Sequence, residues 1–169
     1  MEHVRVEATG TGNFLDPSAY LRLLPTLVGA LPPGARAFAT DPDHYDFSSG
    51  RCVKDLAPGT LLRGTTAGED WLHLGFRHNC WKHEEDLGIR YVGVTALSLD
   101  AEPGSDWTRF GGVTLDEVLP HDHGCRHEIG FLGGSLTVVS RDLVATWTEA
   151  DCPEKSRAGG AVRADPSPD

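Results

Sequence analysis

From Leu72 to Glu149 the chain repeatedly places apolar residues at every second position, and the connections between these segments are short. In "DLGIRYVGVTALSLD", Leu87, Ile89, Tyr91, Thr95, Leu97 and Leu99 share one face, with Gly93 as a bend. In "WLHLGFRHNC", Leu72, Leu74, Phe76, His78 and Cys80 do the same. A period of two is the signature of half-buried strands. Parallel strands need crossovers of about a dozen residues or more, and such crossovers are missing here. The strands must therefore pair as antiparallel hairpins. "GGVTLDEVLP" supplies another strand, and "HEIGFLGGSLTVVSRDLVATWTE" reads as a hairpin closed near Gly133 and Gly134.

The N-terminal part has a different period. "LDPSAYLRLLPTLVGALPPG" places Tyr20, Leu24, Leu27 and Leu31 on one helical stripe. Asp16 can cap this helix and Pro17 suits its first turn. Pro25 is expected to kink or split it, and "LPPG" to end it. "RAFAT" then reads as a short strand and "DPDHYDFSSG" as a turn region. The expected fold is α+β: a short N-terminal helical segment followed by a mainly antiparallel β-sheet built from hairpins. One domain covers residues 1–152, and the chain of 169 residues is long enough to bury a core. Residues 153–169 lack apolar periodicity and read as a disordered tail.

The formal net charge is −10. Such a surface repels phosphate backbones, which argues against nucleic acid, and it favours and steers a basic protein partner. The start "MEHVRVEATG" has no secretory signal pattern, and no stretch approaches the ~18 apolar residues of a membrane span. These features imply a cytoplasmic monomer or weak dimer. Cys52, Cys80, Cys125 and Cys152 are then expected to be reduced thiols. No Gly-rich phosphate loop and no GxSxG elbow is present.

"PHDHGCRHE" is the densest cluster of potential ligands. His121 and His123 lie two apart, so on a strand both rings can reach one ion. With Glu128 this spacing resembles the first metal motif of cupins. Leu115 stands where that motif has a glycine, and no second motif follows. A different set, Cys80, His83, Cys125 and His127, would give a tetrahedral zinc site if the two segments were neighbours. The competing reading makes Pro120 to Gly124 a solvated polar turn, with no cofactor at all. Cys125 could also act as a nucleophile with a base such as His78.

"FRHNCWKHEEDLGIRYVGV" combines a strand ending in Phe-x-His, an acidic linker and Asp-Leu-x-Ile-x-Tyr-x-x-Val. It resembles small acidic bacterial β-sheet immunity proteins of polymorphic toxin systems. That resemblance implies a non-enzymatic protein that neutralises a cognate toxin by covering its active site. The acidic segments "TDPDHYDF" and "KHEEDL" would supply the contact surface through Asp41, Asp43, Asp46, Glu84, Glu85 and Asp86.

Overall fold

The computed structural model describes residues 1–10, 12–101 and 106–152. The expected tail, residues 153–169, lies outside the described residues. Eight strands and two α-helices are present among them. Two short strands come first, β1 (Arg5–Thr9) and β2 (Gly12–Asp16), paired as a hairpin that the periodicity did not reveal. Helix α1 (Ser18–Leu27) and helix α2 (Pro33–Ala39) follow. The remaining strands are β3 (Ala57–Thr66), β4 (Glu69–Arg77), β5 (Glu85–Ala101), β6 (Val113–His121), β7 (Gly124–Phe131) and β8 (Gly134–Glu149). They form one six-stranded sheet in the order β3-β4-β5-β8-β7-β6, and every pairing in it is antiparallel. The α+β fold with a mainly antiparallel sheet is thus the observed one.

Strand alternation holds where it was strongest. Leu72, Leu74 and Phe76 of β4 and Leu87, Ile89 and Tyr91 of β5 all point into the core. Gly93 has φ +61°, and the β5–β8 register shifts between Val94 and Ala96, so the bend is real. Beyond it Leu97 and Leu99 are exposed. The hairpin between β3 and β4 turns through Ala67 and Gly68, both with positive φ, as a tight two-residue connection requires.

The helical region departs from expectation in two places. Pro25 does not split α1, because it stands in the last turn, where its missing N–H removes only one bond. "RAFAT" is not a strand: it lies in α2, which "LPPG" starts rather than blocks. Pro33 pre-sets the first helical φ. Ala35, Phe38 and Ala39 then fall on one face and are buried. The cap comes from far away, as the Asp142 carboxylate on β8 accepts the N–H groups of Gly34 (3.1 Å) and Ala35 (2.9 Å).

Helix α2 approaches β8 backbone to backbone. A Cβ on Gly34 would stand 1.9 Å from the Leu143 carbonyl oxygen, and a main-chain atom cannot step aside as a flexible side chain can. Gly34→Ala should therefore lift the helix and destabilise the fold by ~1–3 kcal/mol in urea unfolding. Gly29→Ala, whose added Cβ meets nothing within 4 Å, should stay within ~0.5 kcal/mol of the parent.

Candidate functional site

The β6–β7 hairpin divides the histidine cluster. Its register pairs His121 with Gly124, so Asp122 and His123 make the turn. His121 and His123 are exposed, with ring centroids 5.5 Å apart. Alternation along β7 then sends Cys125 and His127 into the core, while Arg126 and Glu128 face the other side. Cys125 lies 3.7 Å from the Ser140 hydroxyl. Burial pushes its thiol pKa up, away from the thiolate a nucleophile needs. His78 is bonded to Asp86 beyond the end of β4, whereas Cys125 on β7 is bonded to Ser140 on β8.

The four residues of the postulated tetrahedral set are engaged separately. Cys80 forms a disulfide with Cys152, which corrects the expectation of four reduced thiols. Its cause is strand pairing: Glu85 lies opposite Glu149 and the Ala150 N–H donates to the Glu84 carbonyl, bringing the two Cα atoms to 5.8 Å. His83 is buried, and its Nδ1 accepts the Asn79 N–H (3.2 Å) while its Nε2 donates to the Cys52 carbonyl (2.9 Å). Burial lowers its pKa, in keeping with a neutral ring. His127 belongs to another group altogether.

That group is a chain of hydrogen bonds in the core. His127 Nε2 meets Asp116 Oδ2 at 2.8 Å, and Asp116 Oδ1 meets His44 Nε2 at 2.7 Å. His44 Nδ1 lies 3.0 Å from the Phe38 carbonyl, and the Tyr91 hydroxyl lies 2.7 Å from His127 Nδ1. The Tyr45 hydroxyl donates to the Asp116 carbonyl at 3.0 Å. Burial alone would push the Asp116 carboxyl up. The charge of His44 and the bonds from both histidines outweigh it and hold the group below the ordinary carboxylate range. The proton count follows. His44 faces two acceptors, a carbonyl and a carboxylate, so both its nitrogens carry protons and the ring is a cation. His127 donates from Nε2 and accepts the Tyr91 proton at Nδ1, so it is neutral. The group balances to zero net charge.

An internal void of about 10 Å³ touches Asp116 and His127, and its remaining walls are mainly apolar, including Phe38, Leu56 and Ile129. It is no larger than a single water. The residues look like acid–base machinery, but their position is that of a structural core. The sequence carries one signal of this. "VTLDEVLP" puts two adjacent carboxylates in an apolar strand, so either register buries one. The fold buries both: Glu117 accepts the N–H groups of Glu2, His3 and Val4 at 2.7–2.9 Å.

The acidic residues occupy the surface. Asp41 and Asp46 each shape a turn, accepting the N–H of Asp43 and of Ser48 at 2.9 Å. Arg51 pairs with both oxygens of Glu85, at 2.6 and 2.8 Å. This bond, followed by the charge of Glu85, Asp41 and Asp43, raises the Arg51 pKa. Glu84, Glu85, Glu149 and Asp151 line one cleft with Arg51. Asp86 is on the opposite face of β5 from Glu85, where it accepts both the N–H and Nδ1–H of His78 at 2.7 Å. Four of the six proposed contact residues, Asp41, Asp43, Glu84 and Glu85, thus gather round Arg51, while Asp46 and Asp86 stand apart.

Asp116→Asn should strand the His44 cation and cost ~3–5 kcal/mol in denaturant unfolding. Because the folded Asp116 pKa is depressed, its contribution is present above the unfolded value of ~3.9 and is lost as pH falls below it. Burial raises the pKa values of Tyr20, Tyr45 and Tyr91, so their contribution is present below ~10 and is lost as pH rises past it. Burial also lowers the His83 pKa, so its contribution fades as pH falls below ~6.5, and raises those of Cys52 and Cys125, so theirs fade as pH rises past ~8.5. Stability should therefore be flattest between ~6.5 and ~8.5 and fall on both sides; in Asp116→Asn the most acidic part of the acid limb should shrink.

Compared with known proteins, the chain matches no family model, no curated protein and no solved structure.

Proposed function

We propose that this chain is a non-enzymatic, cytoplasmic binding protein that engages a basic protein through the acidic face around Arg51. The observation that carries the reading is the meeting of two distant acidic segments, through Asp41 and Asp43 and through Glu84 and Glu85, around one arginine. The same face sets Glu85 directly across from Glu149, with the Arg51 guanidinium on both oxygens of Glu85. A face that already holds one guanidinium among carboxylates has the chemistry to take those of a basic partner. The net charge of −10 adds long-range attraction for a basic partner. The resemblance to immunity proteins supports a toxin as that partner, with carboxylates occupying positions that a nuclease reserves for phosphate. Among the described residues no helix is long and apolar enough to cross a membrane.

The reading requires a large toxin gene beside this one, whose product loses toxicity when the two are co-expressed. Replacing Asp41, Asp43, Asp46, Glu84, Glu85 and Asp86 by their amides should slow association at low ionic strength by about tenfold or more and weaken protection. Of the six, Asp86 should contribute least. Full protection by a folded variant lacking all six charges would contradict the proposal.

A further inference from the structure

The disulfide joins two sulfurs that have a third metal-ligating atom beside them. A ring nitrogen of His78 and the sulfurs of Cys80 and Cys152 all lie within 4.8 Å of one another. We propose that reduction of Cys80–Cys152 converts this corner of the fold into a zinc(II) site, with the two thiolates and His78 as ligands and a water in the fourth position. This site does not rest on the toxin-binding reading, although Asp86 figures in both and Cys152 borders the acidic cleft. It shares only Cys80 with the ligand set suggested by the sequence.

Three features support it. The ligand set is chemically apt, since two thiolates and an imidazole are the donors zinc prefers. The histidine is already oriented. Asp86 accepts His78 Nδ1–H at 2.7 Å, which leaves Nε2 with its lone pair for a metal. A carboxylate behind a ligating histidine is the usual supporting arrangement in zinc sites.

The third feature is that the scaffold does not depend on the S–S bond. The turn bearing Cys80 is closed by the N–H groups of Lys82 and His83, both donating to the Asn79 carbonyl, and is braced by the His83 ring on Cys52. The segment before Cys152 is held by the β5–β8 ladder as far as Glu85–Glu149 and by Ala150 N–H on the Glu84 carbonyl. The thiols would therefore remain neighbours after reduction, and a preformed bidentate pair binds metal far better than two free cysteines.

The chemistry balances simply. A dithiol reductant delivers two electrons and two protons, the S–S bond breaks, two S–H bonds form, and the reductant closes its own disulfide. Zinc then displaces both thiol protons to solvent and gains two Zn–S bonds and one Zn–N bond. In a reducing compartment the metal-binding form would prevail, and in an oxidising one the disulfide.

The test uses the full-length untagged chain, oxidised or reduced with a phosphine, titrated with Co²⁺ and then with Zn²⁺. Circular dichroism monitors the fold. The reduced chain should bind one cobalt with a thiolate-to-metal charge-transfer band, zinc should displace it, and the oxidised chain should bind none. His78→Ala keeps both cysteines, so it can be compared in the folded oxidised state. It should weaken cobalt binding by the reduced form at least about tenfold, and Asp86→Ala should weaken it about tenfold to a hundredfold. His121→Ala/His123→Ala should bind as the parent does. The proposal is overturned if the reduced chain takes up no cobalt, if the oxidised chain binds equally well, if His78→Ala binds undiminished, or if reduction unfolds the protein.

Discussion

The buried carboxylate of Asp116, held between two histidines, is the interaction on which most of this structure leans. It ties the loop after α2, and α2 itself, to three strands of the sheet. Asp116 is on β6, His127 on β7, Tyr91 on β5, and His44 in the loop after α2. Phe38 adds α2 through its carbonyl. An isolated carboxylate here would be prohibitive to desolvate. One cation and one neutral ring satisfy it, and their second nitrogens are satisfied in turn. Such a group stabilises less than its Coulomb attraction suggests, but removing any one member leaves the rest unpaired. It therefore selects a single arrangement of helix, loop and sheet.

The acidic surface depends on the same arrangement. His44 and Tyr45 root the loop in the core, and that loop carries Asp41, Asp43 and Asp46 out to solvent. Cys52, further along the same loop, receives the His83 ring through its carbonyl and so fixes the turn before Glu84 and Glu85. Two segments about forty residues apart in sequence thus present their charges to Arg51 in a defined geometry. The interior supplies specificity of shape, and the exterior supplies a negative field in a salt-sensitive form.

The hairpins were legible because burial on one sheet face imposes a period of two, and Leu87, Ile89 and Tyr91 obey it. The inward position of His127 was legible by the same rule, since it shares its phase with Ile129; ligand chemistry drew attention away from it. Other features were hidden for physical reasons. α2 is too short for its period to be told from a strand, and its cap is Asp142, distant in the chain. β3, "APGTLLRGTT", has exposed positions on both faces, so alternation is weak. His44 resembled one more polar turn residue because its partner Asp116 is 72 positions away. The Cys80–Cys152 bond likewise spans 72 residues and follows from strand register, which spacing does not disclose.

The central claim is that the His–Asp–His group is a sealed structural ion pair, leaving binding to the surface. The most direct measurement is ¹⁵N NMR of the histidine ring nitrogens with solvent exchange of their protons. His44 is expected to show protons on both nitrogens and His127 on Nε2 alone, all exchanging slowly because both rings are buried and bonded. His121 and His123, on the exposed turn, serve as the internal comparison. Ring protons on His44 or His127 that exchange as fast as those of His121 and His123, or a single proton on His44, would show that the group is open to solvent and contradict its role as a sealed structural pair.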